Sequence, residues 1–118
     1  MKKNHFLRAV VVLFVLLFAS CSLFHDVIVG SWQQASVAGV PAGTVNVLDF
    51  TDTTYTASVG GVTLSAGTWT KSGSAYTLNG SYFGLVGTSS TITPTFSNSN
   101  NTLTYTDSAS AVEIWNRK

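Results

Sequence analysis

The sequence predicts an all-β domain of about eight short antiparallel strands, preceded by an apolar leader that forms a helix. After residue 26, hydrophobic residues recur with the period of two that is typical of strands, and no stretch has the helical period. Turn-forming Gly, Asn, Ser and Asp residues interrupt this alternation at short intervals. Ser and Thr are abundant, but eleven aromatic residues spread over positions 24–115 indicate a packed core rather than a disordered tract.

The predicted strands follow one another as hairpins. They span residues 27–37, 44–50, 54–59, 62–71, 75–79, 90–96, 102–106 and 111–117. Gly60-Gly61 is a tight hairpin signal, Gly67 suggests a bulge or bend, and Pro94 suggests a sheet edge or a kink. Residues 80–87 are either a continuation of the fifth strand or a short wide loop. With no long Greek-key connection, the pattern favours an up-and-down barrel over a sandwich.

The leader has the pattern of an export signal. Residues 1–8 carry three cations and no acid, and residues 9–19 read AVVVLFVLLFA. That apolar run is shorter than the roughly 20 residues that cross a bilayer. A short membrane anchor or a buried helix is the alternative interpretation.

The segment Leu17-Phe18-Ala19-Ser20-Cys21 resembles a lipobox, the sequence recognised by the lipoprotein signal peptidase. Phe18 departs from the usual Leu, as in the looser lipoboxes of spirochaetes and some other Gram-negative groups. The resemblance implies that residues 1–20 are a signal peptide, that Cys21 carries a covalent diacylglycerol and further acyl chains, and that residues 21–26 are a tether. Ser22 after the cysteine favours the outer membrane. Several acyl chains anchor a protein stably, whereas one chain holds it only marginally.

Cys21 is the only cysteine of the chain, which excludes an intramolecular disulfide. An odd cysteine in an exported protein needs an explanation, and lipid attachment supplies one. A free thiol or an intermolecular disulfide remains the alternative.

Charge and side-chain chemistry exclude several classes of function. After cleavage before Cys21, three basic side chains face five acidic ones, a net charge of −2, which argues against nucleic acid. The single remaining histidine, His25, lies in the tether, so neither a metal site nor a base for a serine nucleophile is expected. Asp49 and Asp52 straddle a strand end and a turn, where Asp usually supports the turn. We therefore expect no enzyme, no metal and no cofactor beyond the lipid.

The domain at residues 27–118 resembles the lipocalin-like domains of small bacterial lipoproteins. The resemblance rests on Gly30-Ser31-Trp32, Gly67-Thr68-Trp69-Thr70 before a Ser-Gly turn, Thr102-Leu103-Thr104-Tyr105 and Trp115-Asn116-Arg117-Lys118. It implies that Trp32 sits at the closed end of the barrel and that Arg117 lies across it, a cation–π contact worth ~0.5–2 kcal/mol. In the alternative, Trp32 is ordinary core and Arg117 a solvated terminus.

The predicted domain departs from true lipocalins in having shorter strands, and no stretch after residue 26 predicts the helix that packs outside their barrel. An eight-stranded barrel is either filled by its own side chains or holds one small ligand. Candidates for lining such a cavity are Phe50, Trp69, Tyr76 and Tyr105.

Three functions follow as expectations. The first is a lipid-anchored, monomeric envelope lipoprotein that binds a small apolar ligand. The second is a barrel scaffold for protein or glycan contacts through residues 38–43 and 80–90. The third is a lysozyme-type hydrolase inhibitor, since Ser72-Gly73-Ser74-Ala75-Tyr76 resembles a segment of small inhibitor lipoproteins. Those inhibitors usually carry a disulfide, and a plain hairpin turn is the alternative interpretation.

Overall fold

The computed structural model describes residues 25–118, so the expected signal peptide, Cys21 and most of the tether lie outside the described residues. The described chain is all-β, with no helix among these residues. Its ten strands are β1 (Gly30–Val37), β2 (Val40–Pro41), β3 (Asn46–Phe50), β4 (Thr54–Val59), β5 (Val62–Ser72), β6 (Ala75–Tyr82), β7 (Val86–Ile92), β8 (Thr95–Ser97), β9 (Thr102–Thr106) and β10 (Val112–Arg117).

Nine strands form one curled antiparallel sheet, a half-barrel, in the order β7-β6-β5-β4-β3-β1-β10-β9-β8, and β2 pairs with β1 off this path. The first strand therefore lies in the middle of the sheet and the last strand pairs with it. The prediction of an all-β antiparallel fold is confirmed. The alternation that predicted β4 and β9 also gives their bounds correctly, because each has turn residues on both sides.

The prediction of eight strands differs from the structure at two places. The predicted strand 90–96 is divided into β7 and β8, which run in the same direction but pair with β6 and β9 respectively. Pro94 lies at the division, and it cannot donate to a ladder because it has no N–H. The second difference is β2, a two-residue strand that folds back on β1 within the predicted loop 38–43.

Between the fifth and sixth predicted strands, the chain continues as a ladder rather than as a wide loop. β6 extends to Tyr82, and β7 begins at Val86 after a tight turn. In that turn Phe83 and Gly84 both have positive φ, and the N–H of Leu85 donates to the carbonyl of Tyr82 at 2.9 Å.

Gly67 faces Gly80 across the β5–β6 ladder, and the two backbones approach closely. A Cβ at Gly67 would lie 2.0 Å from the carbonyl oxygen of Asn79. A Cβ at Gly80 would lie 2.5 Å from the hydroxyl of Tyr55. The predicted bulge is not at Gly67, since the β4–β5 register shifts between Ala57 and Ser58 instead. Glycine at this pair permits close packing of the backbone.

Because the strands alternate in direction, their connections fall at two ends. The tether end carries the start of β1, the C-terminus and the turns 51–53, 73–74 and 98–101; contacts of His25 with Asp52 and of Arg117 with Asn100 join them. The open end carries the connections 38–45, 60–61, 83–85 and 107–111. Hydrogen bonds of Gly60 to Val45 and of Ala38 to Val112 join the connections there.

The core lies inside the curl and is densest toward the tether end. Trp32, Tyr76, Ile28 and Leu103 are the largest fully buried side chains. The other buried members are Leu48, Phe50, Tyr55, Leu78, Ile92 and Trp115. Trp69, Phe96 and Tyr105 pack against this cluster.

Candidate functional site

Trp32 and Arg117 are cross-strand partners at the tether end. The guanidinium carbon of Arg117 lies 4.2 Å from the centroid of the Trp32 ring, and Trp32 is fully buried. The guanidinium also donates to the carbonyls of Val27, Val29 and Asn100, each at 2.9 Å. The indole Nε1 of Trp32 donates to Ile28 O at 2.8 Å. Arg117 thus connects the segment before β1, the strand β10 and the β8–β9 turn.

Local geometry explains why the first residue of the Gly-x-Trp segment, Gly30, is a glycine. Gly30 has φ +132°, a conformation that L side chains rarely adopt. A Cβ there would also lie 2.7 Å from Arg117 Nη1. Gly30 therefore makes room for the guanidinium that covers Trp32.

Asp26, the last residue of the expected tether, is held against the half-barrel. Its Oδ1 accepts hydrogen bonds from the Tyr76 hydroxyl at 2.5 Å and from Ile28 N–H at 3.0 Å. Its Oδ2 forms an ion pair with Lys71 Nζ at 2.9 Å. Burial acts to raise the pKa of Asp26, but these hydrogen bonds outweigh it and hold the pKa below its ordinary value. No local pattern marked Asp26, because two of its partners lie 45 and 50 residues away.

A cleft of about 540 Å³ opens at the other end of the half-barrel. Its apolar lining is Leu48, Ala57, Leu64 and Leu78. Its hydroxyl-bearing lining is Tyr55, Ser65, Tyr82, Thr88, Ser89, Ser90 and Tyr105. The cleft lining therefore combines aliphatic side chains with hydrogen-bonding ones, and cross-strand pairs such as Leu78 and Ser90 place the two kinds side by side.

A second cleft of about 580 Å³ adjoins the first and shares Tyr82, Ser89, Ser90 and Tyr105 with it. It continues between β7 and the end of β9 to Thr106, Asp107 and Ser108. This is the side on which the sheet is not bridged, since β8 pairs only with residues 102–104 of β9. We call the two clefts together the open-end cleft.

A polar network borders the open-end cleft. Glu113 Oε1 accepts hydrogen bonds from Gln34 Nε2 at 2.7 Å, from the Tyr105 hydroxyl at 3.1 Å and from Trp115 Nε1 at 3.3 Å. Burial, followed by neighbouring Asp107, raises the pKa of Glu113. Burial and the Glu113 charge also raise the pKa of Tyr105, which stays a neutral donor. Hydrogen bonding to Glu113 and to the amides of Ala111 and Ala109 lowers the pKa of Asp107.

The basic side chains lie at one end of the half-barrel. The Lys and Arg side chains of residues 25–118 all belong to the tether end, where Lys71 contacts Asp26, Arg117 covers Trp32 and Lys118 follows β10. Asp26, Asp49 and Asp52 lie at the same end. The open end has the carboxylates of Asp107 and Glu113 and, within this range, no cation. The open-end cleft is therefore electronegative.

The exposed large hydrophobic side chains are concentrated at the rim of the open end. Leu85 is 87% exposed and Phe83 64%. The whole set, which we call the apolar rim, is Val40, Val45, Val62, Tyr82, Phe83, Leu85, Val86 and Val112. Every connection at the open end contributes to it or is flanked by one of its members.

Of the four side chains expected to line a cavity, Tyr105 lines both parts of the open-end cleft. Phe50, Trp69 and Tyr76 are not among its lining residues. They form an aromatic row at the tether end, with ring centroids 6.4 Å apart for Phe50–Trp69 and 5.7 Å for Trp69–Tyr76. Trp69 Nε1 donates to Thr51 O at 2.9 Å, which fixes the row against the β3–β4 turn.

Other residues considered from the sequence have structural partners. Asp49 accepts a hydrogen bond from Ser31, whereas Asp52 contacts His25. Gly73 and Ser74 form the two-residue turn between β5 and β6, with Gly73 at φ +62°. Within residues 25–118, no three His, Cys, Asp or Glu side chains converge as a metal site would require, and no helix could cross a bilayer.

Comparison with known proteins gives no family assignment. The chain matches no protein-family model, and no significant match is found among curated proteins or solved structures. The arguments on function therefore rest on the residues and geometry above.

Proposed function

We propose that this chain is a lipid-anchored cell-envelope protein whose half-barrel binds a small apolar ligand in the open-end cleft. The observation that carries the proposal is the cleft itself. Its volume lies in the range of about 300–1,000 Å³ that small-molecule sites occupy. Such sites combine apolar side chains with a few polar groups that orient the ligand, and here Leu48 and Leu78 line the cleft together with Ser90 and Tyr105.

The strand order supports the lipocalin-like part of the proposal. Each strand pairs with its neighbour in the chain up to β7, and β10 returns to β1, as in an up-and-down barrel. The β7–β8 segment pairs with β6 before Pro94 and with β9 after it. The cleft lies beside this change of partner strand. The contact between Trp32 and Arg117 supports a barrel-closing role for this pair.

The lipid-anchor part rests on the leader and on Cys21. We place the processed protein in the outer membrane of a Gram-negative or spirochaete bacterium, as a monomer. Bacteria that express the full chain should incorporate a tagged fatty acid into it, and Cys21→Ser should abolish the label because the thioether cannot form. Ser22→Ala, one residue further on, should keep the label. Fatty-acid label on the Cys21→Ser protein would contradict the proposal that Cys21 carries the lipid anchor.

Binding in the cleft is testable with hexanol and the full chain in a non-ionic detergent, since so short an alcohol partitions weakly into micelles. The amide NMR signals of Ser89, Ser90 and Tyr105 should shift on titration and give a Kd. Ala57 lines the cleft and is half-buried, so Ala57→Trp should fill the space and weaken binding by about tenfold or more.

Ala66→Trp is the matched control for that variant. Ala66 is exposed on β5 and lies one residue from Ser65, on the opposite face of the sheet. It should leave the Kd within about twofold of the wild-type value. Wild-type cleft signals that do not move with hexanol would reject the proposed function.

An interaction scaffold is the second candidate, and the apolar rim favours it. Monomeric soluble proteins rarely expose contiguous apolar side chains unless the patch is functional. Phe83 and Leu85 project at the tip of the β6–β7 turn, and neither side chain lines the open-end cleft. Leu85→Ser should leave the Kd for hexanol unchanged. If the apolar rim holds a partner, the same variant should lose binding of that partner.

A further inference from the structure

We infer that the open-end cleft selects neutral or cationic amphiphiles with a hydrogen-bond-donating head group over fatty acids and other anionic lipids. The inference rests on the proposed function and names its ligand class. It follows from the distribution of charge and of hydrogen-bond acceptors around the cleft.

Two acidic side chains lie at or beside the cleft. Asp107 lines the part between β7 and β9, and Glu113 hydrogen-bonds to Tyr105, which lines both parts. Within the described range, the Lys and Arg side chains belong to the tether end, where Lys71 pairs with Asp26 and Arg117 donates to backbone carbonyls. A carboxylate or phosphate head group in the cleft would therefore meet two acids and no counter-charge. An unpaired charge of this kind is costly to bring out of water.

Hydrogen bonds hold both acidic side chains in place. Asp107 Oδ1 accepts from the amides of Ala109 at 2.9 Å and Ala111 at 3.0 Å, which fixes its carboxylate in the β9–β10 turn. Glu113 Oε1 is fixed by three donors, and Gln34 is itself held by Asn46 at 2.6 Å. Neither carboxylate can swing away from an incoming anion without losing these bonds.

The polarity of the lining changes along the cleft. The aliphatic side chains of Leu48, Ala57 and Leu78 lie within the curl, whereas Asp107 lies at the mouth between the strand ends. An amphiphile would therefore place its tail among the aliphatic side chains and its head beside Asp107. Ser90 lines both parts on the inner face and its hydroxyl can bond an alcohol or an amine, whereas the hydroxyl of Ser89 donates to Asn79 Oδ1 at 2.9 Å on the outer face.

The test compares hexylamine, hexanol and hexanoate, three probes of one chain length, at pH 7 on the full chain. The Kd of each comes from the shifts of the Ser89, Ser90 and Tyr105 amides. We expect hexylamine to bind about tenfold more tightly than hexanoate, a modest value because the charges are partly exposed. Hexanol should fall between them.

Neutral variants separate charge from shape. Asp107→Asn combined with Glu113→Gln keeps the accepting oxygens and removes both charges, so the amine and carboxylate Kd values should converge to within about twofold. Asp52→Asn is the control, since it removes one charge at the tether end and should keep the tenfold preference.

The outcomes distinguish the two proposals. If none of the three probes moves the cleft signals, the ligand-binding function itself is wrong. If hexanol binds but hexanoate equals or exceeds hexylamine, the ligand class is wrong and the binding function stands. A preference for hexylamine that persists in the doubly neutral variant would also overturn the inference.

Discussion

Replacing Trp32 by alanine should lower the free energy of unfolding by about 3–5 kcal/mol. The side chain is fully buried, and its removal leaves a cavity between the first strand, Phe96 and the guanidinium of Arg117. The loss also removes the donor to Ile28 O. Small domains are stable by only about 5–15 kcal/mol, so a large fraction of the stability depends on this one residue.

Urea denaturation followed by fluorescence of Trp69 and Trp115 measures the effect. Trp32→Phe is the matched variant: it keeps an aromatic ring under Arg117 but loses volume and the indole N–H, and we expect a loss of about 1–2 kcal/mol. An unchanged midpoint for Trp32→Ala would refute the assignment of this residue as the centre of the tether-end core.

The second large effect is expected at the close approach of β5 and β6. Gly67→Ala should destabilise the domain by roughly 3 kcal/mol, because the added Cβ would meet the Asn79 carbonyl at 2.0 Å and the Cα of Gly80 at 2.4 Å. Both are backbone atoms that cannot rotate away. The strands would have to separate, which weakens the ladder and displaces the Tyr55 hydroxyl that lies over Gly80.

Gly87→Ala is the control for this experiment. Gly87 lies in β7 with no atom near its added Cβ and an ordinary backbone conformation. The same methyl group should change stability by less than about 0.5 kcal/mol there, or raise it slightly by restricting the unfolded chain. Thermal melts followed by circular dichroism compare the two variants directly, and equal melting temperatures would contradict the close-approach argument.

Local patterns predicted most of the strands, because alternation and turn residues act over a few positions. Pro94 was recognised as an edge or a kink, and it is where one predicted strand changes partner. The residues of the Trp32–Arg117 contact could be named before the structure only through a family resemblance. Nothing within a few residues of Arg117 indicates that its side chain reaches Val27.

The candidate site was harder to predict than the strands. Alternation shows that Phe50, Tyr76, Leu78 and Ser90 share the inner face, but not which end of that face is packed. That depends on where long-range contacts gather the large aromatic rings. The rings of Phe50, Trp69 and Tyr76 meet near the tether end, and the smaller Ala57, Ser65 and Ser90 line the cleft.

In the proposed lipid-anchored form, the position of Asp26 sets the distance and the orientation of the domain relative to the membrane. With a lipid on Cys21, only residues 22–25 lie between the lipidated residue and a carboxylate fixed to Lys71 and Tyr76, a reach of at most about 18 Å over five residue steps. In the proposed lipoprotein, the tether end of the domain would therefore face the head groups of its own membrane. The cleft mouth points the opposite way, so exchange of a bound molecule would take place with the aqueous compartment or with a facing surface, and not with the bilayer that anchors the protein.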